Sequence, residues 1–313
     1  MKIIHFYPRS SGINFLRLFR SFLVETYEEQ YVHYDKSENL LIELADRINN
    51  TDIVIFTAHG TEEYVIGDSV RGQVVQLDKD KLVNLRNSFV FAFSCSTGNL
   101  GKELCLDHNV LSYVGFDDVI DLVVKSSIAA YRDELSKLLK HIYNDALQAS
   151  FKQFAQKNCN VTQFELLISL NLKRSFSKVL SMRASELSRQ FSISLVVANS
   201  TVFMKKLHSD LLTTIDSVRS RIVVHGEREF IPWTFVGNDH VRIGSLIHDL
   251  ENCVYSDSNE YYRLFMLAYL YYKLNRKTLA FNYYMKSKEL YPEYEPLKLL
   301  SFEGQIFKKE KNA

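Results

Sequence analysis

Two segments of the chain place a reactive side chain directly after a short, strongly apolar run. The first reads Ile53-Val54-Ile55-Phe56-Thr57-Ala58-His59-Gly60, an imidazole followed by a residue without a side chain. The second reads Phe89-Val90-Phe91-Ala92-Phe93-Ser94-Cys95-Ser96-Thr97-Gly98, a thiol among small polar residues. A cysteine attacks a carbonyl only as its thiolate, so it needs an electropositive setting and a neighbour able to protonate the leaving group; His59 can be that neighbour. Backbone N–H groups around Gly60 and Cys95 could hold the oxyanion of a tetrahedral intermediate, and the bare position 60 lets a substrate carbonyl come close. A helix beginning near Leu100, after Gly98, would add a partial positive charge beside the sulfur. Together these are the parts of acyl transfer through cysteine.

Positioning them requires strands that end where the chemistry begins. Asp52–Ala58 and Ser88–Phe93 are continuous apolar blocks, the kind expected of strands covered on both faces. Lys2–Tyr7 reads as a first strand, and Val110–Val114, stopped by Gly115, as a later one. Residues 12–28 and 37–49 carry apolar side chains at helical intervals between them. Strands alternating with helices predict an α/β fold with a parallel or mostly parallel sheet flanked by helices. In such sheets catalytic groups gather beyond the carboxyl ends of the strands, so adjacency of the two blocks would put His59 and Cys95 on one cleft.

Beyond residue 125 the pattern turns helical. Residues 126–190 contain no glycine and read as a helical insertion, after which Ser192–Met204 and Arg221–Val224 are expected to be strands completing the sheet. The division expected is a first domain over 1–255, insertion included, and a helical hairpin with its tail over 256–313. In the hairpin Leu264, Leu267, Ala268, Tyr271, Ala280, Tyr284, Ser287 and Pro292 have the spacing of a tetratricopeptide repeat, with small residues where two helices cross and a proline closing the second.

The composition narrows the function classes. Of 313 residues, 46% are hydrophobic and 24% charged, enough to bury a substantial core. With 38 Lys and Arg against 37 Asp and Glu, no overall field draws in nucleic acid or anionic lipid, so neither is expected as a direct partner. The sequence MKIIHFYPRS has no apolar secretory stretch, and no run approaches the roughly 20 apolar residues of a membrane span, which leads to the expectation of a soluble cytoplasmic protein. Cys95, Cys105, Cys159 and Cys253 are scattered, without close pairs or Cys–His ligand spacing; neither a disulfide framework nor a metal or cofactor site is suggested.

A strand ending in His-Gly, followed by a strand ending in a small residue and Cys, resembles the caspase-like (clan CD) cysteine peptidases, and Ser94-Cys95-Ser96-Thr97-Gly98 looks most like their CHAT and separase branch. The resemblance implies Cys95 as nucleophile, His59 as general acid and base, and the Gly60 and Cys95 amides as the oxyanion hole. It also implies an acidic residue after the next strand, where Val114-Gly115-Phe116-Asp117-Asp118 makes Asp117 or Asp118 the candidate for binding a basic residue before the scissile bond. The Trp-Asp pattern common in that branch is replaced here by Phe116-Asp117, which weakens this transfer. Trp233–Gly237 would fit a closing strand, while 126–190 matches nothing specific. A repeat joined to a CHAT-like peptidase implies bacterial antiviral defence or regulated proteolysis, with a protein substrate and a regulatory or sensor protein held by the helical region.

Other arrangements compete. His225-Gly226 also follows a β-branched run, and would pair with Cys95 in the cysteine-first order of papain-like hydrolases. The segment 94–99 is similar to the phosphate cradle of flavodoxin-like proteins, although that cradle follows a first strand. Phosphatase chemistry lacks its arginine, since Gly101 stands six residues after Cys95. An inactive peptidase fold acting as an adaptor would use the aromatic stretch with Tyr261, Tyr262, Tyr269, Tyr271, Tyr272, Tyr283 and Tyr284, side chains that would equally serve to pack the hairpin on its neighbour.

Overall fold

The computed structural model describes residues 1–10, 12–300 and 302. Its centre is a six-stranded sheet built from β1 (Ile3–Phe6), β2 (Tyr31–Tyr34), β3 (Ile53–Thr57), β6 (Phe89–Phe93), β7 (Ser112–Phe116) and β8 (Ile222–Gly226). β4 (Tyr64–Val70) and β5 (Gln73–Asp78) form a separate antiparallel hairpin. The order across the sheet is β2-β1-β3-β6-β7-β8, parallel throughout except for β8, which runs against β7. The α/β class and the mostly parallel sheet are therefore as the alternating pattern predicts.

The two central strands are apolar on both faces because both faces are covered. Every residue of β3 and β6 is buried, and alternate side chains enter two separate cores. Ile53, Ile55, Phe89, Phe91 and Phe93 meet the layer containing α1 (Arg17–Tyr27), α4 (Arg132–Gln156) and α5 (Val161–Leu180). Val54, Phe56, Val90 and Ala92 meet Leu40 and Leu44 of α2 (Ser37–Asp46) and Leu100 and Leu104 of α3 (Gly98–Asp107). The helices after residue 130 are thus part of the sheet's cover: Phe164 of α5 lies edge-on to Phe91 at 5.3 Å, and Phe154 of α4 tilts against Phe89 at 5.5 Å.

Four local expectations are corrected. Ser192–Met204 is not strand but α7 (Leu195–Ala198) and the start of α8 (Thr201–Arg219), preceded by α6 (Ala184–Phe191). Its β-branched residues imitate a strand, but Ser194 and Ser200 act as helix N-caps, accepting from Val197 N and Phe203 N, and Leu207, Leu211, Ile215 and Val218 continue a buried helical stripe. Trp233–Gly237 is not a closing strand; Trp233–Phe235 is a 3₁₀ turn and β8 closes the sheet. Gly115 does not stop its strand, which runs to Phe116 because Gly115 and Phe116 pair with Val223 and Ile222 of β8; the Tyr113 ring takes the space a side chain at 115 would need and lies against Gly101 of α3. Helical structure also extends beyond 190, to Arg219.

Toward the end of the chain α9 (His240–Asn252) precedes a hairpin of α10 (Glu260–Lys273) and α11 (Lys277–Leu290). Ala268 and Ala280 are fully buried between its helices. The hairpin is fastened to the body by tyrosine hydroxyls: Tyr261 donates to Asn87 Oδ1 at 2.7 Å and Tyr262 to the Ile231 carbonyl at 2.7 Å. Tyr261, Tyr262, Tyr271 and Tyr284 are buried, so these aromatics serve packing, whereas Tyr272 is exposed. No helix among the described residues is long and apolar enough to cross a membrane.

Candidate active site

β3 and β6 are neighbours, with Thr57 paired to Phe93 at their carboxyl ends. His59 and Cys95 each stand two residues past those paired ends, so the common register carries both to one edge of the sheet. The chain leaving β3 is then fixed by the β4–β5 hairpin, since the Ile66 N–H donates to the His59 carbonyl at 2.8 Å and Thr61 N–H to Tyr64 at 2.9 Å. The half-buried imidazole rests against Gly12, in the loop after β1, where a methyl group would overlap Cε1 and lie 2.5 Å from Nε2.

Gly60 presses on the turn that bears the thiol. A methyl there would collide with Ser94 Oγ and lie 2.5 Å from Thr97 Cγ2 and 2.8 Å from the Cys95 carbonyl oxygen. This close approach, rather than a special backbone angle, is why position 60 carries no side chain. The turn is built to expose Cys95: Ser96 adopts a left-handed conformation (φ 56°), its N–H donates to the Asp118 carbonyl at 3.0 Å, and α3 starts at Gly98. Thr97 Oγ1 donates to the Ser94 carbonyl at 3.2 Å and accepts from the Tyr113 hydroxyl at 2.7 Å, tying the turn to β7 below it. Among the described residues neither the Gly60 nor the Cys95 amide donates to a protein acceptor, and the buried Ser94 hydroxyl beside them has no partner.

Cys95 lines a cavity of about 690 Å³ formed with the 119–127 segment and Arg132; His59, expected on the same cleft, is not among its lining residues. The Cys95 sulfur accepts a hydrogen bond from the Ile120 N–H at 3.3 Å. Burial pushes the Cys95 thiol above its ordinary pKa, and the carboxylates of Asp121 and Asp118 push the same way, against the Ile120 N–H and the Arg221 guanidinium. These surroundings favour the neutral thiol over the thiolate.

Asp117 and Asp118 follow β7 and lie beside this turn. Asp117 is exposed, its N–H donates to the Arg221 carbonyl at 3.0 Å, and its backbone packs on Gly98. Asp118 is engaged locally: Oδ1 accepts from Val119 N–H at 2.6 Å and Oδ2 stands 3.3 Å from Arg221 Nε. Sequence reasoning missed Asp121 and Arg221. Asp121 lines the thiol cavity and pairs with Arg221 at 3.1 Å. The signal for Asp121 was its position just past the acidic strand end; Arg221 becomes visible only when antiparallel pairing sets Ile222 against Phe116.

The papain-order alternative is overturned by that same antiparallel strand. His225 pairs with Tyr113, which is level with Val90 near the start of β6, whereas Cys95 lies past the end of β6. Its ring sits tilted against Tyr113 at 6.4 Å and by the Gly98 backbone, on the strand that β7 separates from β6.

No family model matches this chain, and no curated protein matches it.

Proposed function

We propose that the chain is a caspase-like cysteine endopeptidase of the CHAT and separase-like kind, cleaving protein substrates through an acyl-enzyme on Cys95. The observation that carries the reading is the shared register of His59 and Cys95 beyond β3 and β6, with Gly60 packed on the Cys95 turn. His59 would take the thiol proton as sulfur bonds to the scissile carbonyl carbon, and return it to the amine that leaves as the tetrahedral intermediate collapses. Water, deprotonated by the same imidazole, would then cleave the thioester and restore the thiol. The uncommitted amides of Gly60 and Cys95 suit the oxyanion of both steps. Asp117 makes no ion pair among the described residues, which favours it over Asp118 for a basic side chain before the scissile bond.

The further parts of the proposal rest on the sequence resemblance. The α10–α11 hairpin is read as tetratricopeptide-like and as the site of a regulatory or sensor protein, and the whole as a cytoplasmic enzyme of antiviral defence or regulated proteolysis. The raised Cys95 thiol, bonded to Ile120, favours a latent form that substrate or partner must open. The same observation supports a second reading, an inactive peptidase fold serving as a protein-binding adaptor.

A peptide acyloxymethyl ketone with a basic terminal residue separates the two. The peptidase reading expects covalent labelling at Cys95, slowed at least about 100-fold in His59→Ala. Labelling spread over Cys105, Cys159 and Cys253, or unchanged in His59→Ala, would leave the adaptor.

A further inference from the structure

A second cavity, of about 910 Å³, opens where β1 ends, and its walls are strongly cationic. Arg9 follows β1, Arg17 and Arg20 come from the first turns of α1, and Lys140 comes from α4. No Asp or Glu lines the cavity. Arg9 pairs with Asp35 at 3.1 Å, but among the described residues Arg17, Arg20 and Lys140 have no carboxylate partner. In a chain whose charges balance 38 against 37, three cations without a carboxylate partner around one hollow make it a locally positive site that favours an incoming anion.

The hollow is also rigid and chemically mixed. Asn144 of α4 accepts from the Phe19 N–H at 3.1 Å and donates to the Phe15 carbonyl at 2.7 Å, so the backbones of α1 and α4 that carry the cations are fastened to each other without a ligand. The amino end of α1 opens into the space with no acidic residue in its first turn, adding the positive end of its dipole. Aromatic surface flanks the charges: the Arg20 guanidinium lies 5.8 Å over the Tyr7 ring, and Phe191 stands edge-on to His141 at 4.9 Å.

We infer that this cavity binds the oligophosphate group of a small molecule, with Arg17, Arg20 and Lys140 on the phosphate oxygens. A compact multiple anion matches three cations lining one cavity better than a single carboxylate does, because guanidinium forks and an ammonium each need their own oxygens. The volume accommodates a nucleoside triphosphate, and the aromatic flank suits a base, so bare and nucleoside-linked oligophosphate are the two sources to distinguish. The inference is independent of the peptidase reading, although the loop after β1 that contributes Arg9 also carries Gly12, which touches His59.

The test is calorimetric titration of the full chain with sodium tripolyphosphate, ATP and adenosine. Saturable binding of both phosphates, weakening as salt is raised, is expected, with none for adenosine; ATP binding more tightly than tripolyphosphate assigns the aromatic flank to a base, and equal affinity assigns the site to bare oligophosphate. Arg17→Glu combined with Lys140→Glu should weaken binding at least about 100-fold, and the milder Arg17→Gln about 10-fold, whereas Lys205→Glu on α8 should leave it unchanged. Absence of saturable binding to either phosphate, or binding untouched by Arg17→Gln, overturns the inference.

Discussion

Arg221 Nη1 stands 3.1 Å from Asp121 Oδ2, while Nε of the same guanidinium stands 3.3 Å from Asp118. One cation therefore holds in check the two carboxylates that raise the Cys95 thiol. Burial is the larger cause of that rise, but the acidic pair is the part a single substitution can alter. Asp121→Asn should lower the thiol pKa, increase the thiolate fraction at pH 8 and quicken alkylation by iodoacetamide. Arg221→Gln should do the opposite. Rate–pH profiles of alkylation, with the label located at Cys95, check both directions; profiles that do not move would detach this acidic pair from the sulfur.

Gly60 is expected to tolerate no side chain. In Gly60→Ala the added methyl meets Ser94 Oγ and, less movable, the Cys95 backbone carbonyl. Overpacking of this sort costs about 1–3 kcal/mol, so chemical denaturation should find the variant less stable by that amount. Covalent labelling of Cys95 should fall as well, because relief of the clash must shift the turn that presents the thiol.

Acid should weaken the fold through His5. This fully buried imidazole bridges Tyr31 and Thr57, at 2.8 and 2.7 Å, and burial lowers its pKa from 6.5 to about 3, with His33 and Arg20 acting in the same direction. Between those values the unfolded chain binds a proton that the folded chain does not, so stability falls as pH drops below 6.5 and keeps falling toward 3. At pH 5 the loss from this group is about 2 kcal/mol. His5→Gln, which removes the titration, should show a shallower decline in stability from pH 7 to 5 than the wild type, whatever its stability at neutral pH.

Tyr261→Phe should loosen the C-terminal hairpin. The lost hydroxyl leaves Asn87 Oδ1 without its donor in a buried site, at a cost of about 1–2 kcal/mol. Hydrogen exchange should quicken in α10 and α11 before it does in β3 and β6, if the hairpin opens more readily than the sheet.

The parts legible in the sequence were those fixed locally. Ile53–Phe56 and Phe89–Phe93 announce doubly covered strands by being apolar without alternation, and His59 and Cys95 announce themselves by following those strands. β2 is not legible because it is an edge strand that buries only Tyr31 and carries no continuous apolar run, and the β4–β5 hairpin because its largely uncovered strands alternate weakly around Arg71-Gly72, a turn with both φ angles positive but without the usual Asn-Gly or Asp-Gly. Ser192–Met204 misled because valine and isoleucine favour strands in general, while two serine caps decided the matter in favour of helix. The Arg221 pairing with Asp118 and Asp121 depends on the antiparallel β8, which places residue 221 beside residues a hundred positions earlier in the chain. The basic hollow near Arg17 likewise joins α1 to α4 and has no signature in either helix alone.

The central claim is that one sulfur performs hydrolysis, and cleavage of a peptide library by the wild type and by Cys95→Ala tests it most directly. The account predicts that cleavage is lost in Cys95→Ala while the melting temperature stays within a few degrees, since removing a half-buried thiol costs on the order of 0.5–1 kcal/mol. Undiminished cleavage by a folded Cys95→Ala protein would contradict it.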